Sequence, residues 1–319
     1  MSNIVNTEQL AAVHPRLKLL SYSSRLDLHS CPRKLQLNRL RKPARDSSVT
    51  FAFGHVVGLG LQLSMQQKTI QEIYFQMFLA WDTGLYEEET TNKKSFWYAM
   101  FAVQQFHAIK NTLRLADGTD LKDYDLAYLD GKPAVELSFR VDIMQGFSYR
   151  GYVDVVLRHK ITGEFLVLEL KTTKYKTIDE ATYKNSGQAL GYGIILDAIS
   201  PGKSSYRVLY CIYKTVSEEF ELMSFDKSFT KRADWIRDLV LDVNMIGYYS
   251  ANAFPMHGES CYAFFRQCEF FNICSMSDKV LINYEAIAVE DEKEENKEPE
   301  YQINISLLDL INSQIERNI

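Results

Sequence analysis

The chain has 319 residues, 46% apolar and 24% charged, with a formal net charge of -5. At roughly 150 residues per domain it suits two domains or one large one, and its composition excludes a disordered or fibrous chain. It holds no run of about eighteen apolar residues and no basic-then-apolar leader, so neither a membrane span nor a secretory signal is expected.

The charge is unevenly spread. Residues 1–45 carry nine Lys or Arg against Glu8 and Asp27, whereas residues 285–300 carry eight acids against Lys293 and Lys297. A basic arm suits a polyanionic partner and also suits a solvated helix face. Ser24, with Asp27 three residues on, predicts a helix start, and Pro32 suits the first turn of the next helix, through Leu35, Leu37 and Leu40. Helical stretches follow over 54–67, 70–81 and 94–115, where Trp97, Met100, Phe101 and Ala108 recur at core spacing.

The period then changes. Val135, Leu137, Phe139, Val141 and Ile143 alternate with polar residues, which predicts a half-buried strand. Strands over 149–158 and 165–171 follow, joined through a turn at Gly163. A helix over 179–199 ends at Pro201-Gly202, and strands over 206–213 and 219–225 precede a helix over 231–248. This order predicts an α/β chain with a mixed sheet flanked by helices. Beyond Tyr284 the sequence turns acidic, and it regains a pattern only in an amphipathic stretch over 303–315.

Asp154, Glu169 and Lys171 carry the chemistry. Strand alternation points Glu169 and Lys171 the same way, and Asp154 lies on the strand before. Two carboxylates beside a lysine, with the Leu170 carbonyl between, suit a hard divalent cation that activates water. The acid-x-Lys pattern alone is cheap, since Asp120/Lys122, Asp130/Lys132, Asp291/Lys293 and Glu295/Lys297 repeat it. What distinguishes Glu169 and Lys171 is the apolar strand Phe-Leu-Val-Leu-Glu-Leu-Lys, where charges are costly. A salt bridge at a strand end is the competing reading.

Gly151-x-x-Asp154, the turn, Glu169-Leu-Lys-Thr-Thr and the helix with Gln188-x-x-x-Tyr192 resemble the PD-(D/E)XK nuclease superfamily in its RecB-like branch. The resemblance implies catalytic Asp154, Glu169, Lys171, Gln188 and Tyr192, and Mg²⁺ or Mn²⁺ held by Asp154, Glu169 and the Leu170 carbonyl. The branch's Gly-x-x-x-His signature would put its histidine at residue 58. This chain has Gly54 and Gly58, and His55 is the substitute ligand or a packing residue.

Five cysteines occur, and without a secretory signal they favour metal binding over disulfides. Cys261, Cys268 and Cys274 form a close trio, which His257 could complete as a zinc site. With the Ser-Tyr-Ser-Ser-Arg-Leu-x4-Cys-Pro-Arg-Lys segment around Cys31, they also resemble iron-sulfur nucleases of the AddB and Cas-four type. That resemblance implies a [4Fe-4S] cluster on Cys31, Cys261, Cys268 and Cys274, with Zn²⁺ as the alternative metal. Six residues separate Cys261 from Cys268 where those families commonly have two. Cys211 reads as a buried strand residue.

The implied architecture is a basic segment (1–50), a helical region (51–130), the nuclease core (131–250), a cysteine-rich segment (251–284) and an acidic tail (285–319), with the cluster stapling the two ends. The implied function is a cytoplasmic DNA exonuclease of recombination, repair or replication. It would act on single-stranded DNA or DNA with free ends, away from membranes, as a homo-oligomer or with a recombination or helicase partner. A silent DNA-binding scaffold and a structure- or site-specific endonuclease are the alternatives.

Overall fold

The computed structural model describes residues 7–40, 48–85, 93–115, 118, 120–200, 203–263 and 266–276, together with the backbone of Tyr301–Ile303. The longer helices are α1 (Tyr22–Ser30), α2 (Pro32–Leu40), α3 (Val49–Met65), α4 (Ile70–Ala80), α5 (Phe96–Ile109), α6 (Gly187–Ile199) and α7 (Phe229–Ala251). The longer strands are β1 (Val135–Asp142), β2 (Ser148–His159), β3 (Phe165–Thr173), β4 (Ser205–Lys214) and β5 (Glu219–Ser228). The chain therefore has the expected mixed α/β order. Its contacts divide it into two units: residues 1–45, 138–151 and 233–319 form the first, and residues 46–137 and 152–232 the second.

In the second unit, Ser48, Thr69 and Ser95 start α3, α4 and α5 by accepting the N–H of Phe51, Glu72 and Tyr98. Each cap satisfies an amide that the first helical turn leaves open. Helix α3 meets α5 at Gly60, where a Cβ would stand 2.4 Å from Val103 Cγ2. The sheet order here is β2-β3-β4-β5, with β2 antiparallel to β3, β3 parallel to β4 and β4 antiparallel to β5. On one face Val155, Leu157, Leu166 and Leu168 pack with Phe53, Val56, Val57, Val103 and Phe106 from the helices. Strand alternation sends Val156, Val167 and Val208, also buried, to the other face. A strand covered on both faces reads as a nearly continuous apolar run, as β3 does up to Glu169.

One predicted detail changes in this unit, and the reading of Cys211 as a buried strand residue holds. The helix expected over 179–199 is two pieces, Glu180–Lys184 and α6, and Ser186 caps the second by accepting the Ala189 N–H. Cys211 is fully buried in the apolar core, and burial pushes its thiol up to about 12.

In the first unit Ser21, not Ser24, caps α1. Its extended backbone lets Ser21 Oγ accept the Ser24 N–H, and Ser24 Oγ accepts the Ser21 N–H in return. The basic arm is also less available than its charge suggests. Arg25 is 9% exposed and pairs with the buried Asp242 at 2.5 Å, where His29 Nε2 also approaches at 2.9 Å. Arg33 is 6% exposed and donates to the Cys274 and Met276 carbonyls. Lys34 pairs with Asp27 at 2.7 Å. These cations are committed inside the unit, because an acid or a carbonyl lies within reach of each. Arg41, Lys42 and Arg45, and the acidic stretch 285–300, lie outside the described residues. Most of the helix expected over 303–315 lies outside them too. Tyr301–Ile303, expected to lie beyond the sheet pattern, is a strand parallel to Phe139–Val141 of β1.

Candidate active site

Every element of the predicted core site lies in the second unit. The β2–β3 register pairs Val155 with Leu168, so one step along the ladder Asp154 stands opposite Glu169. The Leu170 N–H donates to Asp154 Oδ2 at 2.7 Å. Lys171, two residues beyond Glu169 and on the same face, places Nζ 2.6 Å from Glu169 Oε1. Gln188 Oε1 accepts from Lys171 Nζ at 3.4 Å, and Gln188 Nε2 donates to the Tyr192 hydroxyl at 2.6 Å. Asp154, Glu169, Lys171, Gln188 and Tyr192 thus form one connected polar group running from β2 through β3 to α6.

Electrostatics explains why this group is unusual. Glu169 is 1% exposed; Lys171 meets its Oε1, and its Oε2 has no hydrogen-bond partner. A buried carboxylate left in that state costs several kcal/mol unless a cation compensates it. Burial, then the charge of Glu169, pushes the Asp154 carboxyl up to about 8, against the opposing pull of Lys171 and the Leu170 N–H. Burial would lower the Lys171 pKa, but the charges of Glu169 and Asp154 outweigh it and hold the ammonium above its ordinary value. Two facing carboxylates, one with an unmet oxygen, fit a hard oxygen-seeking divalent cation. Among the described residues no three His, Cys, Asp or Glu side chains stand as a ready-made metal cage. A cation here would fill its remaining positions with water and substrate oxygens, as Mg²⁺ commonly does.

Helix α3 brings its own residues. A Cβ at Gly54 would meet Thr172 Oγ1 at 3.4 Å, whereas one at Gly58 would meet nothing within 4 Å. His55 is exposed. One turn past Gly58, the buried Gln62 donates from Nε2 to Glu136 Oε1 at 2.5 Å. Neither Gln62 nor Glu136 was singled out in the sequence, although Glu136 interrupts the run Ala-Val-Glu-Leu at a strand start.

The four other predicted ligands share one neighbourhood of the first unit. His257 Nδ1 lies 2.9 Å from the Ser30 carbonyl and must donate to it, since that oxygen only accepts; Ser260 Oγ donates there as well, at 2.7 Å. The Arg33 N–H donates to the Pro255 carbonyl at 3.1 Å, and the Cys268 N–H to the Cys261 carbonyl at 2.8 Å. Leu37 and Phe270 form a small core against which Cys268 and Cys274 pack. Burial pushes the Cys274 thiol up, and Cys31, Cys261 and Cys268 push it the same way, against Arg33. The four cysteines thus share one neighbourhood, and among the described residues no three of them stand together as a ready-made metal cage.

A model of the PD-(D/E)XK nuclease superfamily matches residues 19–275. The chain belongs to this superfamily. Members of the PD-(D/E)XK superfamily hydrolyse phosphodiester bonds and generally use Mg²⁺ or Mn²⁺. No curated protein matches the chain. Among solved structures it is similar to a protein from Eubacterium rectale provisionally called an exonuclease, at 12% identity and a TM-score of 0.45, covering 97% of each chain. It is also similar to SSO0001, at 12% identity and a TM-score of 0.32, covering 72% of this chain and 76% of that one. Neither likeness bears on the activity of this PD-(D/E)XK nuclease. No helix among its described residues is long and apolar enough to cross a membrane.

Proposed function

We propose that this protein is a divalent-cation-dependent deoxyribonuclease that degrades DNA, preferentially single strands, from free ends. The observation that carries the reading is Glu169, a buried carboxylate that faces Asp154, pairs with Lys171 through Oε1 and has no partner at Oε2. Asp154, Glu169 and the Leu170 carbonyl would hold Mg²⁺ or Mn²⁺, with His55 as the contribution from α3. When bound, the cation neutralises phosphate charge and makes a water molecule more acidic. Lys171 orients the attacking water and stabilises the negative charge that builds on the phosphate oxygens. Gln188 keeps Lys171 in place through its amide oxygen, and the Tyr192 hydroxyl fixes which way that amide points.

Backbone phosphates would be held by the basic segment through Arg39, Arg41 and Lys42. Such contacts make binding salt-sensitive. Cys31, Cys261, Cys268 and Cys274 would hold a [4Fe-4S] cluster, with Zn²⁺ as the alternative, in a structural rather than catalytic role. The deciding experiment offers end-labelled linear single-stranded, linear duplex and closed circular DNA to the purified protein with Mg²⁺ or Mn²⁺. Linear single strands should shorten progressively and closed circles should survive, whereas Lys171→Ala should leave every substrate intact. Nicking of closed circles would replace the exonuclease reading with an endonuclease one. Inertness toward every substrate with either metal would remove the nuclease reading.

A further inference from the structure

Three acidic residues sit on three neighbouring strands. The Val156 N–H donates to the Ala134 carbonyl at 2.9 Å, which brings the start of β1, where Glu136 lies, alongside the stretch of β2 that carries Asp154. On its other side Asp154 faces Glu169. Directly opposed cross-strand side chains stand roughly 5 Å apart, and like charges so placed repel.

Two further observations separate Glu136 from an ordinary strand residue. Its backbone has φ +47°, in the left-handed region that a side chain with a Cβ enters only at a cost. Its carboxylate accepts a hydrogen bond at 2.5 Å from Gln62, which is 3% exposed. The fold thus accepts local strain and buries an amide to hold a third carboxylate beside two that already repel it. What makes the row point to a ligand is Glu169, more than nine-tenths buried, whose Oε2 has no partner while Lys171 meets Oε1.

We propose that Glu136 is a third acidic member of the cation site, held by Gln62 and acting on the bound ion from outside its direct ligands, through a water. The outer position fits the hydrogen bond that already engages Glu136 Oε1 with Gln62. This inference rests on the cation site proposed above. Glu136 is a positioning residue: it strengthens the hold of Asp154 and Glu169 on the ion and takes no part in the proton transfers.

The test is Mn²⁺ binding to the full chain without DNA, read by electron paramagnetic resonance, alongside thermal melting. Glu136→Gln should raise the Mn²⁺ concentration for half-saturation about tenfold, the effect of removing one nearby charge from a divalent site. Glu136→Gly also removes the charge but suits the left-handed backbone, so it should weaken Mn²⁺ binding while melting no lower than wild type. Gln62→Ala, which releases the carboxylate, should weaken binding by a smaller factor. A purely structural role predicts the reverse for the glycine variant, with stability changed and affinity intact. Unchanged Mn²⁺ affinity in both Glu136 variants would overturn the inference and leave the Asp154–Glu169 site standing. If wild type binds no Mn²⁺, the cation site itself falls, and Glu136's role with it.

Discussion

Lys171 touches both halves of the site, donating to Gln188 and pairing with Glu169, so its removal should cost more than its charge alone. Lys171→Ala and Glu169→Ala should each lower single-turnover cleavage by about 10²–10⁴-fold, the usual worth of a positioned proton-handling group. Gln188→Ala should lower it less, since Lys171 keeps Glu169 as a partner. Circular dichroism of each variant checks that the fold survives. Asp154 makes a pH prediction. Its folded-state pKa, near 8, lies above the ordinary 3.8, so between those values the folded protein holds a proton that the unfolded chain has released. Metal-free stability should therefore fall as pH rises across that window, and Asp154→Asn should flatten the slope measured by denaturant titration. These residues were legible in the sequence because strand alternation and an i, i+4 helix pair are local rules. Glu136 was not, because its role depends on a left-handed backbone and on a glutamine 74 residues earlier.

At the scale of elements, the crossing of α3 and α5 is the tightest approach between described helices that a glycine permits. Gly60→Ala would drive a methyl into Val103, a β-branched side chain with little room to turn. Overpacking of that kind should destabilise the protein by about 1–3 kcal/mol, seen as a lower denaturation midpoint with unchanged slope. The strands were readable to within about three residues because their apolar alternation or continuous runs leave little choice of period. Helix starts were less readable. Ser21 and Ser24 both carry hydroxyls, and only the extended backbone at Ser21 decides which one caps. The basic arm misled for a related reason: charge is visible in a sequence, but the acid that neutralises it, Asp242 for Arg25, lies 217 residues away.

For the whole molecule, the cysteines and the tail make separable predictions. Anaerobically purified protein should be brown if the four thiolates carry an iron-sulfur cluster. Cys31→Ser should bleach it and lower the melting temperature, while Cys211→Ser should leave the colour. Metal analysis finding one zinc and no iron would choose the other metal. Truncation before Tyr301 removes the strand paired with Phe139–Val141, so it should lower the stability of the first unit. Metal-dependent cleavage should persist, because Asp154, Glu169 and Lys171 belong to the second unit.

The division into units also sets a schedule for biosynthesis. All but the first 45 residues of the amino-terminal 232 contribute to the second unit apart from the 138–151 hairpin, so that unit can condense while the ribosome is still translating. The first unit cannot, since Cys31 must wait for Cys274. At roughly 5–20 residues per second that is about 10–50 s in which Cys31, buried in the finished fold, stays uncovered on the nascent chain. Maturation of the protein is therefore most vulnerable to oxidants during its own synthesis, and a pulse of peroxide should harm nascent chains far more than finished ones.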